Sequence, residues 1–275
     1  MFTEAAPGVF SFDHDFVEGH NGIVLGQRTA LAIDGGNYPK DGQAMADFIR
    51  ARGFVADRLA LTHGHGDHIL GAAPLAGGEV FAHALTPGVM RRQIAGWAAR
   101  WGQAQTQVAQ GLCWPTVTYS DELSLDLGGK TVRFIPTPGH SEDGVSAWVE
   151  EDQVLIGGDA VVTGIVPAIG DGDGRALEKS LRRLAQLKIK VLIPGHGPLV
   201  YGVEATRACI LWEADYLAGV RARVVQALAQ MLPDAVAAVV SFDEFVGDRL
   251  PADRHNMPKR HRNTVEKIIT EERNG

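Results

Sequence analysis

With 275 residues, 45% of them hydrophobic and 21% charged, the chain can bury a large core and has the make-up of a folded globular protein, which excludes disorder, collagen and coiled coil. Its net charge of −7 offers no broad cationic field, which argues against wholesale capture of nucleic acid or of an anionic membrane. The two cysteines, Cys113 and Cys209, stand in no metal or redox spacing, so no disulfide framework is expected.

The opening residues, "MFTEAAPGVF", carry neither a positive n-region nor an apolar h-region, and no apolar run reaches the roughly 18 residues of a membrane helix. A cytoplasmic protein without a membrane partner is expected. Three β-rich runs follow, "GVFSF", "GIVLG" and "TALAID", the last two hinged by Gly26, Gln27 and Arg28. The helical pattern "DGQAMADFIRARG" closes at Gly53, and "RLALT" is a short strand running into a histidine cluster. After the strand "EVFAH", a helical stretch from Thr86 to Ala109 interrupts the β pattern. Strands return as "LSLDL", "KTVRFIP", "VSAWV" and "QVLIGGD", then the helix "ALEKSLRRLAQLK" and the strand "KVLIPGHG". Beyond Val203 only helices are expected, over Glu204–Met231, Ala235–Phe245 and Pro258–Glu272. This divides the chain into a β-rich domain over 1–203, with an insertion at about 86–115, and a helical region over 204–275.

The stretch "LALTHGHGDHILGA", Leu59 to Ala72, places His63, His65, Asp67 and His68 in a loop leaving a buried strand. Gly64 and Gly66 let that loop turn tightly, so that alternate side chains aim inward. Imidazole with carboxylate suits a borderline divalent ion, zinc above all. His140 in "PTPGHSED", Asp159 in "IGGDAV" and His196 in "IPGHGP" repeat the context of a β-rich run followed by glycine. Gly139, Gly158 and Gly195 are expected to admit the backbone close to an ion. His14, His20, His83, His255 and His261 lack this context and read as ordinary polar residues, His83 being at most a pocket residue.

Taken in order, Asp34, His63-x-His65-x-Asp67-His68, His140, Asp159 and His196 resemble the metallo-β-lactamase superfamily over about residues 8 to 203. The resemblance implies an α/β (α+β) fold, a four-layer αββα sandwich with its metal site at one edge, here followed by a C-terminal helical appendage. It also implies that His63, His65 and His140 hold one metal, that Asp67, His68 and His196 hold a second, and that Asp159 bridges them. Asp34 matches a supporting aspartate that braces the histidine loop by hydrogen bonds. The implied cofactor is Zn2+, two per chain, with Fe or Mn as alternatives. Two such ions about 3.5 to 4 Å apart share a water and acidify it, the resulting hydroxide attacks, and Asp67 or a metal-bound water handles the proton. A structural zinc needs only four closed ligands, so the surplus points to catalysis.

A bridging Asp159 counts against true β-lactamases, and His65 stands where diiron flavoproteins of this fold carry glutamate. The segments from Gly139 onward are similar to the β-lactamase-like protein 2 group, whose eukaryotic members cleave single-stranded RNA. Glyoxalase II shares the metal residues, but its third histidine precedes Thr-x-Gly where this chain has Ser141 after His140. The expectation is a hydrolase of an ester, thioester or lactone bond in a small molecule. The alternatives are an endoribonuclease acting on single strands and, in another class, a mononuclear iron dioxygenase or a metal-binding sensor without turnover.

Three further features bear on partners. Lys259, Arg260 and Arg262 read as a solvated helix face balanced by Glu266, Glu271 and Glu272 or as a contact for phosphate or a carboxylated thiol carrier, short of the charge and aromatics that nucleic acid requires. Trp97 and Trp101, four apart on one helical face with Trp114 beyond, read as packing against the body or as a lid that gives the metal site an apolar wall. "GDGDG", Gly170 to Gly174, reads as a turn before the next helix. A homodimer is the default assembly.

Overall fold

Neighbouring residues on a buried strand face opposite ways, and here that alternation builds layers. In the strand Gly19–Leu25, Ile23 joins a core containing Met45, Ile49 and Met90, whereas Val24 joins one containing Phe134, Val149 and Val154. In the strand Val154–Ile156 the two ends face that middle core, while Leu155 packs with Leu177, Leu181 and Leu217. The middle core lies between two sheets and each outer core between a sheet and helices, giving the expected αββα sandwich with a C-terminal helical region.

The computed structural model describes residues 1–251 and 253–274. Ala252 and Gly275, which fall in the helical region expected over 204–275, lie outside the described residues. The first sheet runs in chain order: β1 (Phe2–Ala6), β2 (Val9–His14), β3 (Gly19–Leu25), β4 (Ala30–Ile33), β5 (Arg58–Ala60), β6 (Glu79–His83) and β7 (Val117–Tyr119). The second contains β8 (Leu123–Asp126), β9 (Thr131–Pro136), β10 (Val145–Val149), β11 (Val154–Ile156), β12 (Val191–Ile193) and β13 (Val200–Tyr201), in the order β13-β12-β11-β10-β9-β8. On the first sheet lie α1 (Pro39–Arg50), the single turn α2 (Gly66–Ile69), α3 (Thr86–Trp101) and α4 (Gln105–Gly111). On the second lie α5 (Gly174–Leu184), α6 (Val203–Leu228), α7 (Pro233–Val239), α8 (Phe242–Phe245) and α9 (Met257–Asn274).

Local chemistry sets the helix starts. Pro39 opens α1, and the Asp41 carboxylate accepts the Tyr38 N–H at 2.9 Å. Asp173 caps α5 by accepting the Ala176 N–H at 2.8 Å, and Leu177, Leu181 and Leu184 form its buried stripe. The helix expected from Thr86 to Ala109 is two helices, because Gly102 takes a left-handed φ of +64° and ends α3. The helix expected over Ala235–Phe245 is likewise two, α7 and α8, with Ser241 capping the second. The edge strands β1 and β13, and β7, carry too little apolar alternation to be read in advance. Among the described residues no helix is long and apolar enough to cross a membrane.

The topology fixes where the loops meet. β4 runs parallel to β5, so Asp34 and the histidine loop leave the first sheet at the same edge; parallel β11 and β12 deliver the Asp159 and His196 loops together. Backbone bonds lace the two sheets there. Val145 N–H donates to the Thr62 carbonyl at 2.8 Å, and His20 N–H to the Gly195 carbonyl at 2.9 Å.

Candidate metal centre

The loops bring seven side chains to one edge of the sandwich. Donor atoms of His63, His65 and His140 form one group and those of Asp67, His68, Asp159 and His196 another, each within 4.8 Å of one another. Both sheets contribute to both groups.

Each of the five rings has one nitrogen engaged by the protein. His63 Nδ1 meets Thr62 Oγ1 at 3.1 Å, His65 Nε2 meets Asp171 Oδ2 at 3.1 Å, and His68 Nδ1 meets Asp34 Oδ2 at 2.9 Å. His140 Nδ1 donates to the Ala168 carbonyl at 2.8 Å and His196 Nδ1 to the Val17 carbonyl at 3.0 Å. Such bonds select the tautomer and leave the other nitrogen's lone pair facing inward. Inside, His65 Nδ1 and His140 Nε2 stand 2.8 Å apart, a repulsive approach for two lone pairs unless a cation is shared between them. His68 Nε2 lies 3.2 Å from Asp159 Oδ1, and His196 Nε2 lies 3.3 Å from Asp67 Oδ2. His63 Nε2, His68 Nε2 and Asp159 Oδ1 are buried without a hydrogen-bond partner among the described residues. Nitrogen and carboxylate donors that are buried, converging and unsatisfied fit borderline divalent ions.

Charge follows the same geometry. Burial, reinforced by neighbouring rings, pushes the His63 and His140 pKa values down, so both rings are neutral. Burial disfavours charge on Asp67 too, but His68 and His196 outweigh it and bring its pKa to about 2; Asp159 is held well below the carboxylate range in the same way. Against burial, Asp159, Asp34 and Asp67 raise His68 well above its ordinary value, while Asp159 and Asp67 raise His196 to about 9.

Asp34 sits outside the donor groups. At a left-handed φ of +62°, its Oδ1 accepts Thr62 N–H at 2.8 Å and its Oδ2 accepts Thr62 Oγ1–H at 2.7 Å besides meeting His68. The glycines beside the donors work differently from the expectation of close approach to an ion. A Cβ on Gly195 would fall 2.1 Å from Asp159 Oδ1, and one on Gly139 2.2 Å from the Leu177 backbone nitrogen, so the room they leave is taken by the protein itself.

Several residues near the centre escaped the sequence reading. Asp143 is fully buried and joins two loops, accepting Gly64 N–H at 2.9 Å and Ser141 Oγ–H at 2.5 Å. Asp171, read as part of a turn, orients His65. His20, read as ordinary, is buried and contacts the Gly197 carbonyl at 2.6 Å beside His196; His14 is buried with neither ring nitrogen bonded among the described residues. Arg260, read either as part of a solvated face or as a contact for phosphate or a carboxylated carrier, is half-buried and lines a cleft of about 200 Å³ with His65, Asp67, His140, Asp159 and His196. Lys259 and Arg262 are exposed. No described residue pairs with Arg260. Its helix is fixed nearby: His261 bonds Tyr216 Oη at 2.9 Å and the Val240 carbonyl at 3.1 Å, and Thr264 Oγ1 donates to the Pro167 carbonyl at 3.2 Å, one residue before the Ala168 that orients His140. His83 and His255 stand apart, His83 Nε2 meeting the Ser120 carbonyl at 3.3 Å and His255 facing Glu18 at 3.4 Å.

Residues 19–196 match the family model described as "Metallo-beta-lactamase superfamily", a span that ends on the last of the seven donors. The chain belongs to the metallo-beta-lactamase superfamily. Within it, the chain is 29% identical over 204 residues to the atrochrysone carboxyl ACP thioesterase of Passalora fulva, covering 70% of this chain and 51% of that protein. It is 23% identical over 202 residues to the beta-lactamase-like protein 2 homolog of Caenorhabditis elegans (70% of this chain, 59% of that one). A hydroxyacylglutathione hydrolase of Acidiphilium cryptum is 27% identical over 231 residues (78% and 86%). The chain thus spans between half and three-fifths of the first two relatives. Among solved structures, a metallo-beta-lactamase family protein of Thermus thermophilus superposes with a TM-score of 0.67 at 20% identity, covering 97% of this chain and 94% of that one. That superposition extends the shared fold through the C-terminal helices, which lie beyond the span matched to the superfamily model.

Proposed function

We propose that the chain is a metal-dependent hydrolase of a small-molecule acyl bond, a thioester ahead of an ester or lactone, working at two zinc ions. His63, His65 and His140 would hold one ion and Asp67, His68 and His196 the other, with Asp159 between them. The observation that carries this reading is the set of five rings, each with one nitrogen engaged by the protein and the other belonging to one of two converging donor groups, the second of which includes the Asp67 and Asp159 carboxylates. The thioester preference is supported by the relatives named as thioesterases and as a hydroxyacylglutathione hydrolase.

When bound, two zinc ions supply Lewis acidity toward a carbonyl oxygen and a lowered pKa for water. The chain's own residues do the rest. Asp67, ionised and lining the cleft, receives the proton that the attacking water gives up. Arg260, which has no hydrogen-bond or ion-pair partner among the described residues, lines the same cleft, where its guanidinium would stabilise negative charge developing on the substrate oxygen. Phe16, Val17 and Val162 wall the cleft and limit water around the reacting atoms.

The test is a panel of thioesters, esters, lactones and labelled single-stranded RNA, with Asp67→Ala as the blank and metal analysis of protein purified without added metal. Thioester turnover lowered about 100-fold or more in the variant is expected. Cleavage of RNA alone, or about one equivalent of iron with little zinc, would overturn the proposal.

A further inference from the structure

Large aromatic side chains left in water need a reason when they gather at one place. Phe16, Tyr38 and Trp101 are 40%, 48% and 43% exposed, and they come from three separate segments: the turn between β2 and β3, the start of α1 and the end of α3. All three line a single groove of about 620 Å³, together with Trp97, Leu70 and Leu112. The Trp97 and Trp101 rings lie nearly parallel, 13° apart with centroids 6.2 Å from each other. Core packing does not account for this arrangement, since Trp101 and Tyr38, unlike Trp97, do not pack against the buried core among the described residues.

The groove is continuous with the metal centre. Phe16 and Asp67 line both it and the smaller cleft that holds the donors, so a carbonyl at the centre has its substituent directed into the groove. Its volume suits part of a small molecule and its flat walls suit a flat group. Asn37, Gln103 and Gln107 also line it, and they offer hydrogen bonds that a simple fatty chain would leave unmatched.

We propose that this groove binds the acyl part of the substrate and that this part is an aromatic ring system bearing hydrogen-bonding substituents. The inference rests on the hydrolase reading above. In the reaction, water adds to the aryl carbonyl carbon, the carbon–sulfur bond breaks, one proton of the water leaves with the thiol, and the other passes to solvent as the aryl carboxylate forms.

The metal-loaded full chain is tested on the 2-naphthoyl and acetyl thioesters of N-acetylcysteamine, as the parent and as Trp101→Ala and Trp101→Phe. A kcat/KM preference for the naphthoyl substrate of about tenfold or more is expected. Trp101→Ala should cut that preference about three- to tenfold, through KM, and Trp101→Phe should recover most of it. Calorimetry with 2-naphthamide, which is not hydrolysed as a thioester, should show binding weakened at least about threefold by Trp101→Ala. Equal kcat/KM for the two thioesters, unmoved by the substitution, sinks the groove assignment while the hydrolase reading stands. If neither thioester is cleaved, calorimetry decides: weakened binding keeps the groove and sinks the thioester reading, whereas absent or unchanged binding sinks the groove. A dimer that Trp101→Ala converts to monomer would assign the groove to a second copy of the chain and overturn the proposal.

Discussion

Asp34 holds Thr62 twice and His68 once from a left-handed backbone that costs an aspartate stability. On the proposed two-metal reading, its carboxylate would act on metal through the ring it aims. Asp34→Ala is expected to weaken zinc about 10- to 100-fold, read by competition with a chromophoric chelator; unchanged affinity in a folded variant would remove this role. Glu213 presents a different residue-scale case. It is fully buried on α6, with Oε2 facing the Val162 N–H at 3.3 Å and Oε1 unbonded among the described residues, and burial raises its pKa well above the ordinary value. At low pH folded and unfolded chains both keep this proton. As pH climbs, the unfolded chain releases it first, so the folded state loses stability until the raised folded value is reached. Glu213→Gln escapes that loss, and its Tm relative to the parent should increase from about pH 5 to about pH 8; a pH-independent difference would contradict a protonated carboxyl there. All seven donors were visible in the sequence because each stands at a strand end in a glycine-marked loop. Asp143 and Asp171 were not, because their partners Gly64 and His65 lie 79 and 106 residues away and a lone aspartate in a polar run looks solvated.

At the scale of elements, α9 shows where periodicity stops informing. The helix was legible from "MPKRHRNTVEKIITEE", yet which of its faces meets the cleft depends on how it docks. His261 governs that docking through its bonds to Tyr216 and Val240 and its stack against Phe245, with centroids 5.9 Å apart. His261→Ala removes a buried partner from Tyr216 and from the Val240 carbonyl and is expected to lower Tm by about 5–10 °C. It should also speed amide exchange along 257–274 and reduce kcat/KM by displacing Arg260; full activity with an unprotected helix would separate the helix from the site. The insertion carries the same lesson. The sequence marked a helical segment with two tryptophans on one face, but the break at Gly102 and the convergence of Trp101, Phe16 and Tyr38 on one groove are set by the fold.

Taken whole, the molecule is two sheets in sequence, β1 to β7 and then β8 to β13, facing each other across a core of Val24, Leu31, Phe134 and Val154. Strand signals alone did not reveal two sheets; the resemblance carried by the donor motif implied them, but not which strands join which, since short apolar runs say nothing about the sheet they enter. Each donor group takes residues from both sheets, so bound metal ties them together. Chelation of zinc-loaded protein is expected to lower Tm by about 5–10 °C, the shift that corresponds to about 2.7 kcal/mol at metal 100-fold above Kd. An unchanged Tm after verified metal loss would show that the sheets hold the site together unaided.

The division between Tyr119 and Leu123 has a further consequence. Everything before it supplies His63, His65, Asp67 and His68, and everything after it supplies His140, Asp159 and His196. Neither portion of the chain possesses a complete coordination set, so the centre is the property of a junction and comes into being only when the two portions are mated. A nascent chain accordingly has no finished site until His196 has been made, and on the proposed reading an ion would act as the seal on an assembled joint.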